Sequence, residues 1–503
     1  MRADKAYDEL IARVREESLL TTIEALLEWD EETHMPPGGV ENRSEQLALV
    51  AGLLHERGTD PRVGELLAEL EGSDLLDDPM SPASVNVREL RREYDRSLRM
   101  PRHLVEEVAR VTALAQKAWA VARADSRFAE FRPWLERIVE LKRAEAECVG
   151  YEREPYDALI EDHEPGLSST VVARLFGALG RELVPLAERI AGARRQPDSG
   201  FMRRHFPRDR QRAFGARVAA AVGFDFSRGR LDLAVHPSCI GLGRGDCRIT
   251  ARFDDRDFAG GVLTILHEVG HGLYDQGLDP RYSGTPMGEA LSVGMDESQA
   301  RFWENRVGRS WGFWEHFYPR ARGLFPESLD DVACGDFFFA LNRVTPSLIR
   351  VNADEVTYNL HVLVRFELER ALVAGDLRAA DLPAAWSEAY RSRLGIVPRT
   401  DAEGCLQDGH WADGLFGYFP TYTLGDVFAA QLFARAADEL GDLGEQFAAG
   451  EFATLVRWLG DRVYRQGARY PSARLIEVVT GSPPDHRPLV ALLGAKYEAL
   501  YDL

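Results

Sequence analysis

Apolar residues recur at helical spacing through almost the whole chain, and this periodicity constrains the fold more than any other feature. In LIARVREESLLTTIEALLEW, Leu10, Val14, Leu19 or Leu20, Ile23 and Leu27 fall near one face. Similar patterns run through 38–125, 128–150, 168–195 and 208–223. Between them lie turn sequences: MPPGG at 35–39, DDPMSP at 77–82, EPG at 164–166 and QPDSG at 196–200. Only 231–235 (LDLAV) and 247–253 (CRITARF) read as strands, and glycine is frequent between them. The expected fold is mostly α-helical, with a small β-sheet near the functional site. We expect one domain over 1–503, its two lobes lying about a cleft. The N-terminal helical part would cover about 1–230 and the catalytic part about 231–503.

With 45% hydrophobic and 28% charged residues the chain can bury a large core. Its net charge of -20 disfavours a nucleic-acid partner, because an acidic surface repels phosphates. The N-terminus is charged from residue 2, and no apolar run is long enough to span a membrane. Five cysteines without a C-x-x-C pair suit reduced thiols, so a cytoplasmic protein with no membrane partner is expected.

Residues 267–271 read HEVGH, a match to H-E-x-x-H. Four residues apart on a helix, His267 and His271 lie one turn above each other and can face one ion. Glu268 is placed to take a proton from a metal-activated water. The surrounding segment is apolar nearly all round, so the helix is buried, with Asp257 as N-cap and Gly277 as terminator. Buried imidazoles and a carboxylate need partners, and a metal supplies one. Gly270 and Gly272 flank His271 and let another backbone come close. Zinc suits two His and a carboxylate, and Co2+ or Mn2+ fit similar geometry. The third ligand should come from SVGMDESQARFWENRVG; spacing leaves Asp296, Glu297 and Glu304 open.

The chain resembles the carboxypeptidase Taq family of metallocarboxypeptidases. The resemblance rests on EWDEETHMPPGGVENRSEQLA (28–48), HEVGHGLYDQG, DESQARFWEN (296–305), DCRIT (246–250), IRVNAD (349–354), GCLQDGHW (404–411) and GYFPTYTLG (417–425). It implies a helical fold with a deep groove, akin to neurolysin-like peptidases, and a homodimer. It implies removal of single C-terminal residues with broad preference, from peptides with a free C-terminus. It also selects Glu297 as the third zinc ligand. Asp296 stands where the family usually has His, and Ser238 where one branch has Phe. Neighbouring readings are an oligoendopeptidase of similar fold and a non-catalytic helical scaffold.

A carboxypeptidase must hold a carboxylate, activate water and stabilise an oxyanion. Arg350 and Arg248 are the candidates for the carboxylate, since guanidinium matches it with two hydrogen bonds. The alternatives are ion pairs with Asp354 and Asp246. Asn352 and Glu355 look like the capping pair of a helix over 353–374. His410, Tyr422 and Tyr418 lie in one Gly-rich stretch and can donate to the oxyanion, as phenol or imidazolium. Asp408 is placed to orient His410 and Trp411 to pack, while Asp275 suits either a hydrogen bond to a zinc histidine or a cap or surface role.

Overall fold

The computed structural model describes residues 2–503 as a long series of α-helices with one small sheet. Among the described residues, no helix is long and apolar enough to cross a membrane. The chain forms two compact units, each assembled from three stretches: 1–98, 198–341 and 432–480 in one; 99–197, 342–431 and 481–503 in the other. Residue 230 therefore falls inside a stretch of the first unit, not at a change between units.

The helices 128–149, 169–191 and 208–222 lie within a residue or a few of their expected bounds. The long pattern over 38–125 is divided into helices at 40–58, 61–70, 82–99 and 102–125, with proline at or beside most of the new starts. The first helix, Arg2–Thr33, buries only part of its apolar stripe. Leu10 packs with Leu66, Leu67, Leu70 and Val87, whereas Leu19 and Ile23 remain 65% and 47% exposed.

In the first unit three strands form a sheet in the order β1-β3-β2: β1 Gly229–Leu233, β2 Cys239–Gly241 and β3 Cys247–Ala251. β1 runs parallel to β3 and β2 antiparallel to it. β2 is invisible in the sequence because it is three residues long and flanked by a glycine-rich turn. The sheet packs on the helix Phe258–Gly277, which is the H-E-x-x-H segment. Asp257 caps it, its carboxylate accepting from the Gly260 amide. Phe258 anchors its start among Phe206, Phe214 and Phe325, with ring centroids 4.8–5.4 Å apart.

Gly270 sets how close the next helix can come. A Cβ there would lie 2.5 Å from the Gln299 carbonyl oxygen and 2.6 Å from the Ala300 Cα. The helix Val293–Arg301 thus crosses backbone against backbone. At Gly272 the Phe224 ring takes up the space, 2.6 Å from where a Cβ would stand.

In the second unit the helix Tyr358–Ala374 is buried on nearly every side. It starts later than expected: Asp354, not Asn352, accepts the amides of Val356 and Thr357. Glu355 instead turns inward, to Lys496 and the Tyr497 hydroxyl. Farther along, the carboxylate of Glu369 accepts from the Tyr156 hydroxyl (2.5 Å), Trp411 Nε1 (2.6 Å) and the Gly417 amide (3.2 Å). Burial pushes this carboxyl up to about 7 in spite of those donors.

Gly270→Ala should lower the melting temperature by forcing two backbones apart, an overpacking worth about 1–3 kcal/mol. Gly494→Ala, in the helix Arg487–Tyr501 with open space around it, should raise it, by up to about 1 kcal/mol of helix propensity. Thermal melts of both variants check the opposite signs. Glu369 has a folded pKa above its ordinary value, so its share of stability is full below about pH 4.5 and fades as pH rises through 7. Glu369→Gln should flatten the pH dependence of stability between about pH 5 and 8, measured by denaturation of the two proteins side by side.

Candidate metal centre

The helix Phe258–Gly277 presents His267 and His271 from successive turns, their ring centroids 5.1 Å apart. Across the Gly270 crossing, the helix Val293–Arg301 presents Glu297. Its Oε2 lies 3.9 Å from His267 Nε2 and 4.0 Å from His271 Nε2. Among the described residues, these three form a group whose ligand atoms all lie within 4.8 Å of one another. An ion about 2 Å from each donor would draw these atoms together by roughly half an ångström.

Neighbours turn each side chain the right way. His267 Nδ1 is 3.0 Å from Glu304 Oε2, and His271 Nδ1 is 3.0 Å from Asp296 Oδ2. The second contact is an ion-pair distance out of line for a hydrogen bond. Both imidazoles are thereby left with Nε2 for the common point. Arg301 Nε donates to Glu297 Oε1 at 2.7 Å, which leaves Oε2 to the same point. Arg301 Nη1 also reaches Glu304 Oε2 at 3.1 Å. A ring of contacts therefore links Glu297, Arg301, Glu304 and His267. Just after Arg301 the backbone loosens into a π-helix, Phe302–Val307, with Phe302 and Trp303 fully buried.

The charges at this point ask for a cation. Glu268, Glu297 and Glu304 are buried or nearly so, with Asp296 beside them, and Arg301 is the guanidinium set among them. Burial by itself would lower the His271 pKa, yet Asp296, Glu268 and Glu297 lift it to about 10. Glu304 is driven the other way: burial raises it, but Arg301 and His267 hold it at about 2. Glu268 is raised, chiefly by burial. Two facing imidazole nitrogens and one carboxylate oxygen, in an excess of negative charge, fit a divalent ion.

Asp275 does not reach a histidine. Its Oδ1 fills the place where a Cβ on Gly241 of β2 would stand. In DCRIT, Arg248 closes its fork on Asp246 at 2.8 and 3.0 Å and lies 4.2 Å over the Trp29 ring. The pairing with Asp246 that the sequence left open is thus the one formed, and Trp29 of the N-terminal signature is its partner. Ser238, at the departure from the His-Pro-Phe pattern, donates its amide to Thr250 Oγ1 of the same motif.

The second unit contains the other motif residues. Arg350 does not pair with Asp354. Its Nε and Nη2 donate to Asp408 Oδ1 at 3.0 and 2.9 Å, and Nη1 donates to the Tyr358 hydroxyl at 3.0 Å. The Tyr422 ring lies 4.9 Å below the guanidinium. Asp408 also takes Arg365 Nε, at 2.7 Å on its other oxygen, so it bridges two arginines and does not serve His410. His410 Nε2 is 3.1 Å from the Tyr422 hydroxyl. Burial, with Arg350 nearby, lowers His410 to about 4, so the ring is neutral near pH 7 and an imidazolium is not available there. Tyr418 packs edge-on to His163 and tilts over His410. Trp411 is buried and donates Nε1 to Glu369. Sequence reasoning missed Arg301, Arg365 and Tyr358. Arg301, four residues after Glu297, carried the one available signal.

The family model described as carboxypeptidase Taq (M32) metallopeptidase matches residues 9–497. A relative named thermostable carboxypeptidase 1, from Thermus thermophilus, is 47% identical, with 100% of both chains covered. Carboxypeptidase 1 of Bacillus subtilis is 35% identical over 99% of this chain and 98% of its own. The solved M32 carboxypeptidase of Deinococcus radiodurans superposes with a TM-score of 0.96 at 40% identity, covering 99% of this chain and 100% of that one. The chain belongs to the carboxypeptidase Taq family of metallopeptidases and is a metal-dependent peptide hydrolase of the carboxypeptidase type.

Proposed function

We propose that this carboxypeptidase uses zinc held by His267, His271 and Glu297, with Glu268 as general base, and removes C-terminal residues with broad side-chain preference. The observation that carries the reading is the convergence of two Nε2 atoms and one carboxylate oxygen, with Glu268 buried on the same helix. A bound divalent cation supplies Lewis-acid polarisation and a water of lowered pKa; Co2+ or Mn2+ would serve the same donor set.

The chain's own groups do the rest. Glu268 takes the proton of the attacking water on a carboxylate oxygen and returns it to the departing amine. Its raised pKa suits a group that must both accept and release that proton. Arg350 holds the substrate's terminal carboxylate. Three of its five N–H groups are engaged with Asp408 and Tyr358, which leaves one on each terminal nitrogen, the pair that a carboxylate accepts end-on. Asp408, anchored by Arg365, fixes that fork in place. The Nε2–H tautomer of neutral His410 donates to the Tyr422 oxygen, so that the Tyr422 O–H serves as donor to the oxyanion. Tyr418 positions His410 by ring packing. Arg248, closed on Asp246, steadies the sheet through Trp29.

The reading extends to a cytoplasmic homodimer that acts on peptides, without nucleic-acid or membrane partners. The family resemblance supports the dimer. So do the exposed Leu19, Ile23, Leu26, Val40, Leu49 and Leu53 on the helices Arg2–Thr33 and Val40–Gly58. The charge of -20 and five free thiols support the rest.

Glu268→Gln should keep its metal, by elemental analysis, and lose about 10²–10⁴-fold in turnover. Near-normal cleavage by that variant would remove Glu268 from the base role. A peptide ending in a free carboxylate should be trimmed from its end by the native protein, and its C-terminal amide should resist. Cleavage of both at equal rates would point to an endopeptidase. Glu304→Gln should weaken metal binding about 10–100-fold in chelator competition, because His267 loses the acid that orients it.

A further inference from the structure

Cys239 and Cys247 are not used in the reaction above, yet they lie together beside the metal helix. Their Sγ atoms are 3.6 Å apart. The register pairs Cys239 with Ile249 and Gly241 with Cys247, so the two cysteines are diagonal neighbours on one face of the β2–β3 pair. Cys247 is buried; Cys239 is partly accessible. Cys239 also lines a cavity of about 380 Å³, whose wall includes His271, Asp275 and Asp296. A small oxidant that enters this cavity meets the Cys239 sulfur on the same surface as a residue of the metal centre.

We propose that Cys239 and Cys247 form an oxidant-sensitive modification site, in which a hydroperoxide converts the thiol pair to a disulfide and so switches off the metal centre beside it. The Cys239 thiolate attacks the outer oxygen of the hydroperoxide; the O–O bond breaks, an alcohol or water leaves, and Cys239 becomes a sulfenic acid. The Cys247 sulfur then attacks Cys239; the S–S bond forms, the S–O bond breaks and water leaves. The two sulfurs lose two electrons in all and the peroxide gains them. Cys247, the more deeply buried, is the resolving thiol.

One contact carries the change to the metal helix. Diagonal cross-strand partners lie roughly 7–8 Å apart at Cα, whereas a disulfide holds its Cα atoms at about 5.5–6 Å. Bond formation therefore draws β2 along β3. β2 includes Gly241, which already abuts the Asp275 carboxylate of the metal helix so closely that no Cβ would fit. The shift of β2 therefore pushes on the helical turn that follows His271. The hydrogen bond to Cys247 and burial hold the Cys239 thiol above its ordinary pKa, so little of it is thiolate and the reaction is slow.

The test treats the metal-loaded protein with hydrogen peroxide and then with dithiothreitol. Thiol titration should show the loss of two of the five thiols. Non-reducing peptide mapping should join the peptides of Cys239 and Cys247, with a mass loss of about 2 Da. Activity should fall roughly tenfold or more, the effect of moving contacts that support a metal ligand, and should return with dithiothreitol. Cys247→Ala should give no disulfide and should lose activity irreversibly as Cys239 over-oxidises; Cys239→Ala should not respond. Five thiols still titratable in the treated native protein would overturn the proposal. So would a mapped disulfide that leaves activity unchanged. The thiol count and the mapping do not depend on which residues carry out catalysis, so failure here is separable from failure of the Glu268 assignment.

Discussion

The metal centre depends on the contact at Gly270. Two helices can present ligands to one point only if their axes come close, and any side chain at the crossing would hold them apart. At Gly270 there is no Cβ, and the Gln299 carbonyl occupies the space. Glu297, two residues before Gln299, is thereby carried over to the His267–His271 face. The aromatic cluster about Phe258 fixes one end of the metal helix, and the sheet covers its side. Neither of these supports would bring Glu297 within reach if the crossing were wider.

Buried charge is handled alike in both units. Each contains an arginine that braces a functional side chain, or is one, and an acid that braces the arginine. Arg301 binds Glu297 and Glu304; Asp408 binds Arg350 and Arg365. Breaking one partner of such a set leaves an uncompensated buried ion, which is strongly unfavourable. That penalty makes the geometry stiff, and a stiff geometry is what preorganised catalysis requires. The same logic explains the opposite shifts of Glu304 and Glu369. One faces Arg301 and His267, the other chiefly neutral donors with a more distant guanidinium.

Much of this was legible in the sequence, for physical reasons that differ between residues. His267, His271 and the Asp257 cap follow from helix periodicity and local chemistry, which act within a few residues. Proline marked most helix starts in the divided 38–125 region, although the pattern alone read as continuous. The strand Cys239–Gly241 was hidden, because three residues carry no periodicity. Asn352 and Glu355 resembled a capping pair, but Asp354 won that role and Glu355 found Lys496, a partner 141 residues away. Asp408 looked like an orienter of its neighbour His410, yet its partners come from elsewhere in the unit. Long-range ion pairs leave no local trace, and they decided most of the reassignments.

Asp296 shows how a departure from a family pattern can be read through geometry. With His at this place, His271 would face a ring that accepts a hydrogen bond only when neutral and that becomes positive when protonated. The carboxylate instead sets an acid 3.0 Å from His271 Nδ1, at the distance Glu304 keeps from His267 Nδ1, though only the latter is aligned as a hydrogen bond. In the proposed centre both imidazoles would meet the ion with an acid behind them, which raises ligand basicity. The added negative charge also strengthens the demand for a cation at this point, and the lift of His271 to about 10 expresses the same demand in terms of a proton. A proton and a metal ion compete for the same imidazole nitrogens, so the feature that favours the metal also makes its binding depend more steeply on pH.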